Sequence, residues 1–182
     1  MTFGVADLPG GVRLRMTTPA DAAFERRLHD ANRRDLTLID GSRDFVQSIF
    51  DMQHRARDEG YGAQFPNAMY YIIEKQGDAI GRLVLDFGHN EVRVVDIALT
   101  PAAQGQGVGK TVLNAVKQVA GNVPCPVTLT VSLRQPHLVR FYVGLGFVQD
   151  PDEPPRGGHA LLRWTPDAAG MGRSHFITQP QS

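Results

Sequence analysis

Residues Gln104-Gly105-Gln106-Gly107-Val108-Gly109-Lys110-Thr111 set three alternating glycines between an apolar, strand-like segment, Val92 to Leu99, and an apolar, helix-like one that begins at Val108. Strand, glycine-rich turn and helix start, in that order, form a phosphate-binding arrangement. Bare backbone N–H groups and the positive end of the helix dipole converge on one anion. Glycine lets the backbone approach because no Cβ stands in the way. The run therefore constrains both the local fold and the kind of ligand.

Three glycine codes compete for it. G-x-x-x-x-G-K-[ST] matches its end at Gly109-Lys110-Thr111, but its first glycine falls on Gln104. G-x-G-x-x-G matches at Gly105 and Gly107, but its third glycine falls on Lys110, whose side chain stands where close helix–strand packing requires none. Q/R-x-x-G-x-G/A fits in full as Gln104-x-x-Gly107-x-Gly109. Taken alone, these residues also allow a glycine-rich loop with no ligand.

The flanking sequence predicts the elements around the loop. Val12 to Met16 reads as a strand. Thr18-Pro19-x-Asp21 reads as a helix start running to about Ala31, with a threonine cap, proline in the first turn and an acid behind it. A second helix is expected from Asp44 to about Asp58, capped by Ser42 and stopped at Gly60-Tyr61-Gly62. Met69 to Lys75, Ala79 to Phe87 and Val92 to Leu99 form a meander with turns at Gln76-Gly77-Asp78 and Gly88-His89-Asn90. A helix to about Ala120 follows, then a strand from Val127 to Leu133, a short helix from Pro136 to Val143, and strands beginning at Gly146 and spanning His159 to Trp164. The order β α α β β β α β α β β gives an α+β (mixed α/β) fold: one mixed, mostly antiparallel sheet with helices on both faces. One domain over residues 1–164 and a polar tail over 165–182 are expected.

Composition narrows the partners. The 182 residues carry 19 basic and 19 acidic side chains, for zero net charge, whereas a nucleic-acid partner needs a basic excess or stripe. Arg26-Arg27 and Arg33-Arg34 alternate with acids on a helix and read as a solvated face. Cys125 is the sole cysteine and lies between two prolines, so it reads as an inert thiol rather than a nucleophile. There is no signal-peptide pattern or apolar run of membrane length. A cytoplasmic chain is the default expectation, with no nucleic-acid, membrane or metal partner and a homodimer left open.

The second informative segment runs from Leu138 to Phe147, where Tyr142 is followed, after three positions, by Gly146-Phe147, about thirty residues beyond the loop. The loop code and this segment together resemble the GNAT superfamily of acyl-CoA-dependent N-acetyltransferases, over roughly Val12 to Trp164. Asp96-Ile97-Ala98-Leu99-Thr100-Pro101 is similar to that family's strand before the loop. Two positions depart from the pattern: Gln135-Pro136 stands near where the family often has Asn, and Leu138 where it has a small residue.

The resemblance implies acetyl-CoA as cofactor and direct transfer of its acetyl group to a primary amine, on a small molecule or a peptide, in a ternary complex. The backbone of Gln106, Gly107, Val108 and Gly109 would hold the pyrophosphate, with Lys110 or Thr111 assisting and Gln104 and Gly105 completing the loop. Ile97, Ala98 and Leu99 would pair with the pantetheine arm as an added strand, and Gln135 would take the place of the Asn. A main-chain N–H near Leu99 would face the developing oxyanion. Tyr142 would protonate or hydrogen-bond the departing thiolate; with a tyrosine pKa of about 10 against about 8.5 for a thiol, a strengthening hydrogen bond serves as well as full transfer.

The acceptor amine is less constrained. A lysine-like amine is neutral about once in 2,500 at pH 7, a cost of about 4.6 kcal/mol, against about 1.2 kcal/mol for an α-amine. Asp96 is the carboxylate nearest the expected centre. It reads equally as a strand-edge acid bonded to a neighbouring chain, and His137 or a water chain could serve as base instead. Met52, His54, Arg55, Tyr61, Gln64, Phe65 and Tyr70 fall in the region that builds the acceptor side. Two alternatives stay open: an acyl-CoA sensor of the same fold without turnover, and a nucleotide-binding P-loop enzyme.

Overall fold

An alternating row of side chains, Val12 to Met16, meets a continuous apolar run, Met69 to Ile73, in the first half of the chain. In a computed structural model, which describes residues 5–32 and 65–166, they become strands β2 (Val12–Met16) and β3 (Ala68–Lys75), paired antiparallel with Leu14 opposite Ile73. A two-residue strand, β1 (Ala6–Asp7), which the sequence pattern does not reveal, adds to β2. β4 (Asp78–Phe87) pairs antiparallel with β3, with Tyr71 opposite Leu83. Gln76 and Gly77 connect them with φ of 53° and 84°, the paired positive values of a two-residue hairpin turn. Tyr71, Ile72 and Ile73 are all fully buried, so the centre of β3 is covered on both faces.

The chain forms two compact units. The first holds β1 to β4, helix α1 (Ala22–Asn32), the C-terminal part of β5 (Val92–Leu99), the glycine loop and the first turn of α2 (Val108–Asn122). The expected start at Thr18-Pro19 opens as a 3-10 turn over Pro19–Asp21, and α1 follows from Ala22. The Asp21 carboxylate accepts the Thr18 N–H at 2.8 Å and the Thr18 hydroxyl at 3.1 Å, and it takes a two-pronged hydrogen bond from Arg15 at 2.8 and 2.9 Å. Arg15 also donates to Glu74 at 2.6 Å.

The second unit holds the start of β5, the rest of α2, β6 (Val127–Ser132), α3 (Pro136–Gly144), β7 (Val148–Gln149) and β8 (His159–Trp164). Val92 and Val94 lie parallel to Val127 and Leu129 of β6, β8 pairs antiparallel with β6, and β7 with β8. Val112, Val116 and Ala120 repeat every four residues along α2 and are fully buried, the apolar stripe of an amphipathic helix. Because β5 runs through both units, the eight strands follow the order β1-β2-β3-β4-β5-β6-β8-β7 in one mostly antiparallel mixed sheet. The expected helix at 44–58 with its Ser42 cap, its stop at Gly60-Tyr61-Gly62, and the tail from residue 167 lie outside the described residues. Among the described residues, no helix is long and apolar enough to cross a membrane.

Candidate active site

The loop is built from the strand end outward. At the close of β5 the Thr100 N–H donates to the Ile80 carbonyl at 2.8 Å, and a 3-10 turn over Pro101–Ala103 carries the chain to Gln104. Gly105 and Gly107 take φ of 76° and 81°, a left-handed conformation that side chains other than glycine resist, and nothing lies within 4 Å of where a Cβ would stand. The first helical bond of α2 runs from the Thr111 N–H to the Gly107 carbonyl at 3.0 Å. The Val108, Gly109 and Lys110 N–H groups precede it, so the helix offers them no acceptor. Open space before glycines and a row of N–H donors at a helix start fit a pyrophosphate.

The loop side chains turn inward. The Gln104 amide donates to the Leu99 carbonyl and to Asn32 Oδ1, both at 3.2 Å. Asn32, the last residue of α1, donates to the same Leu99 carbonyl at 3.2 Å and to Leu28 at 2.9 Å. Gln106 donates to the Ala102 carbonyl at 2.8 Å, and the Thr111 hydroxyl to the Gly107 carbonyl at 3.0 Å. Gln104, Gln106 and Thr111 thus brace the loop, the backbone N–H groups at the helix start are left to donate, and the exposed Lys110 stands beside them.

Ile97, Ala98 and Leu99 lie on β5 as expected. One residue facing them escapes the sequence reading. A Cβ on Gly81 would stand 2.5 Å from the Ala98 carbonyl oxygen and 2.7 Å from Leu99 Cδ2. The pairing of β3 with β4 slips here, leaving Ile80 as an extra residue, a β-bulge. A lone glycine within a strand pattern is the signal that could have found it.

Asp96 is not an isolated acid. Its carboxylate lies 3.5 Å from Arg82 Nε, and Glu25 of α1 lies 3.4 Å from Arg82 Nη1. The Arg82 side chain is 7% exposed, with its guanidinium 5.8 Å from the centre of the Tyr70 ring. Asp96 thus forms an ion pair across to Arg82 of β4. Thr17, Glu25, Tyr70 and Arg82 line a cavity of about 360 Å³. Of the expected acceptor-side residues, Met52, His54, Arg55, Tyr61 and Gln64 lie outside the described residues, and Phe65 and Tyr70 are half-buried. Glu25, Arg82 and Asn32 are missed by sequence because the bonds from Glu25 to Arg82 and from Asn32 to Leu99 and Gln104 span 57 to 72 positions, beyond any local pattern.

In the second unit, Tyr142 is 8% exposed on α3. The Phe147 N–H bonds to the Tyr142 carbonyl at 3.1 Å and the Gly146 N–H to the Val143 carbonyl at 3.0 Å, with Gly146 at φ 92°. These two bonds and a left-handed glycine make a Schellman cap, and the Phe147 ring sits 6.0 Å from Tyr142, edge to face. Lys117 Nζ adds a bond to the Leu145 carbonyl at 2.7 Å; burial pulls this lysine's pKa down. Gln135 caps α3 through its backbone carbonyl, which accepts from Leu138 at 3.0 Å, and its side chain is exposed. His137 is exposed in the first turn of α3. Burial pushes the Cys125 thiol up, in keeping with an inert thiol.

The loop, the sheet and the capped tyrosine helix define a member of a known enzyme class. Residues 30–147, more than half of the chain, match the model of the acetyltransferase (GNAT) family, and the chain belongs to that family. Family membership carries acetyl-CoA as the cofactor. No curated protein matches the chain. Solved structures share the fold. PaiA N-acetyltransferase from Thermoplasma acidophilum, in complex with coenzyme A, has a TM-score of 0.63 at 15% identity, over 85% of this chain and 98% of its own. Spermidine N-acetyltransferase from Vibrio cholerae, with CoA and spermine, has 0.55 at 20%, over 84% and 93%. A GNAT family acetyltransferase from Elizabethkingia anophelis with acetyl-CoA bound has 0.54 at 16%, over 86% and 99%.

Proposed function

We propose that the chain is an N-acetyltransferase that moves the acetyl group of acetyl-CoA directly to a primary amine. The observation that carries this reading is the loop: two left-handed glycines and three helix-start N–H groups beyond a strand end whose Leu99 carbonyl is pinned by Gln104 and Asn32. When bound, acetyl-CoA supplies an acetyl group activated as a thioester. The backbone N–H groups of Gly107 to Lys110 hold its pyrophosphate. Ile97, Ala98 and Leu99 offer main-chain groups to its arm, and the exposed Gln135 amide assists. The Leu99 N–H donates to the oxygen on which negative charge develops, a contribution of about 3 kcal/mol for such a donor. The Tyr142 hydroxyl donates to the departing sulfur. The Asp96 carboxylate, held by Arg82, takes the proton of the attacking amine directly or through water.

The test is thiol release from acetyl-CoA with a panel of amines. Amine-dependent release is expected, with Tyr142→Phe lowering kcat about 10²-fold. An unchanged rate in that variant removes Tyr142 from the mechanism. Tight acetyl-CoA binding without release under every amine would make the chain an acyl-CoA sensor, and absence of binding would overturn the reading.

A further inference from the structure

Helix α2 carries one residue that its own apolar stripe does not account for. Leu113, Val116 and Ala120 are fully buried, and the helical repeat that joins them puts position 117 on the same inward face. A lysine stands there, half-buried. Its ammonium donates to the Leu145 carbonyl at 2.7 Å and lies 5.3 Å from the centre of the Trp164 ring. Of the aromatic side chains, the indole offers a cation the strongest face. Lys117 therefore reaches out of the stripe to two partners that suit its charge.

Both contacts converge on the end of α3. That helix has no basic residue in its own last turn, so the cation that complements the negative end of its dipole comes from α2. The peptide groups of Leu145 carry the contact onward. Its carbonyl accepts from Lys117, and its N–H donates to the Tyr142 carbonyl at 3.0 Å. The Phe147 N–H bonds that same Tyr142 carbonyl at 3.1 Å. Gly146, between them, lies against the indole: a Cβ there would stand 3.4 Å from Trp164 Cδ1. Lys117 and Trp164 thus clamp the turn that begins at Tyr142, whose ring is buried against the fully buried Phe147. A phenol held through its backbone and its ring has few positions open to its hydroxyl.

We propose that Lys117 is a positioning residue for Tyr142: its ammonium, held between the Leu145 carbonyl and the Trp164 ring, fixes the last turn of α3 and with it the point from which the Tyr142 hydroxyl meets the departing sulfur. Lys117 acts through the tyrosine. The role rests on the acetyltransferase reading for that sulfur, whereas the clamp can be measured without turnover. A lysine that only held the fold together would, when lost, lower stability and leave kcat per folded molecule unchanged. A positioning residue lowers kcat and leaves the KM for acetyl-CoA alone, because the groups proposed to grip the pyrophosphate belong to the glycine loop.

Lys117→Met keeps an unbranched, flexible stem and removes the charge. Steady-state thiol release should show kcat about tenfold lower, with the KM for acetyl-CoA within about twofold of the parent. Lys117→Arg, whose guanidinium can donate to a carbonyl and stack on an indole, should restore most of the parental kcat. The decisive measurement is the double variant: once Tyr142→Phe has removed the hydroxyl, Lys117→Met should cost no further rate. Amide hydrogen exchange on the full chain reads the clamp itself, with the Leu145 and Phe147 N–H groups exchanging about tenfold faster in Lys117→Met and near the parental rate in Lys117→Arg. Trp164→Leu weakens the same clamp from its other side, in case Lys117→Met fails to fold, and should lower kcat several-fold at unchanged KM. Parental kcat in the folded variants, or a Lys117→Met loss that recurs in full beside Tyr142→Phe, would overturn the role and keep the acetyltransferase. Unchanged exchange at Leu145 and Phe147 would overturn the clamp. Faster exchange in Lys117→Met of a chain whose parent releases no thiol with any amine would keep the clamp and remove the acetyltransferase.

Discussion

Gly107 shows how little of the glycine loop's shape is side-chain chemistry. Its φ of 81° is the requirement, since no neighbouring atom would meet a Cβ there. Gly107→Ala should therefore cost about 1–2 kcal/mol of loop strain and raise the KM for acetyl-CoA more than it lowers kcat, as measured by steady-state kinetics at fixed amine. The glycines were legible because backbone conformation leaves a direct mark on residue choice. Gln104 was legible only as a letter of a code. Whether its amide faces a ligand or the Leu99 carbonyl depends on Asn32, 72 positions earlier. The same holds for Asp96. Its place on a strand was readable, but its ion pair with Arg82 depends on sheet order, and Glu25 reaches Arg82 from a helix 57 positions away.

At the scale of elements, the spacing from Tyr142 to Gly146-Phe147 has a structural cause of its own. The left-handed glycine ends α3, and Phe147 folds back against the tyrosine ring, so the pattern encodes a helix cap as well as a hydroxyl. Strand and helix bounds were largely readable here, since periodicity and stop signals agree: β5 and β8 fall on Val92–Leu99 and His159–Trp164 as expected. The bulge in β4 was not, because a slipped register is a property of two strands. Gly81→Ala should test that crossing. With the Ala98 carbonyl 2.5 Å from the new methyl carbon, β5 must shift, and a loss of about 1–3 kcal/mol in urea-unfolding stability is expected, as for overpacked cores. Unchanged stability would mean that the strands separate there without cost.

For the whole molecule, the readable part was the fold class and the family, because both rest on element order and on two spaced motifs. Its response to acid follows instead from tertiary pairs. The Arg15 hydrogen bonds hold the Asp21 carboxyl well below the usual carboxylate range, and the Asp152 N–H, followed by Arg163, pulls Asp150 down. A carboxyl with a depressed folded-state pKa binds fewer protons in the native state than unfolded, so stability rises with pH across that gap. The stabilisation is complete above about pH 4, the unfolded value, and drains away as pH falls through the folded ones. Urea midpoints measured from pH 5 to pH 2 should therefore decline, and Asp21→Asn should flatten that decline while lowering the midpoint at pH 5. A variant with the parent's slope would show that this carboxylate does not set the acid limb. The bond from Asn32 to the Leu99 carbonyl has a consequence for anyone recombining such enzymes. α1 carries both Glu25, which pairs with Arg82, and Asn32, which holds the strand end at Leu99. A chimera that imports a foreign α1 to change substrate choice would cut that anchor as well, so the helix and the loop behind Leu99 have to be exchanged as one cassette.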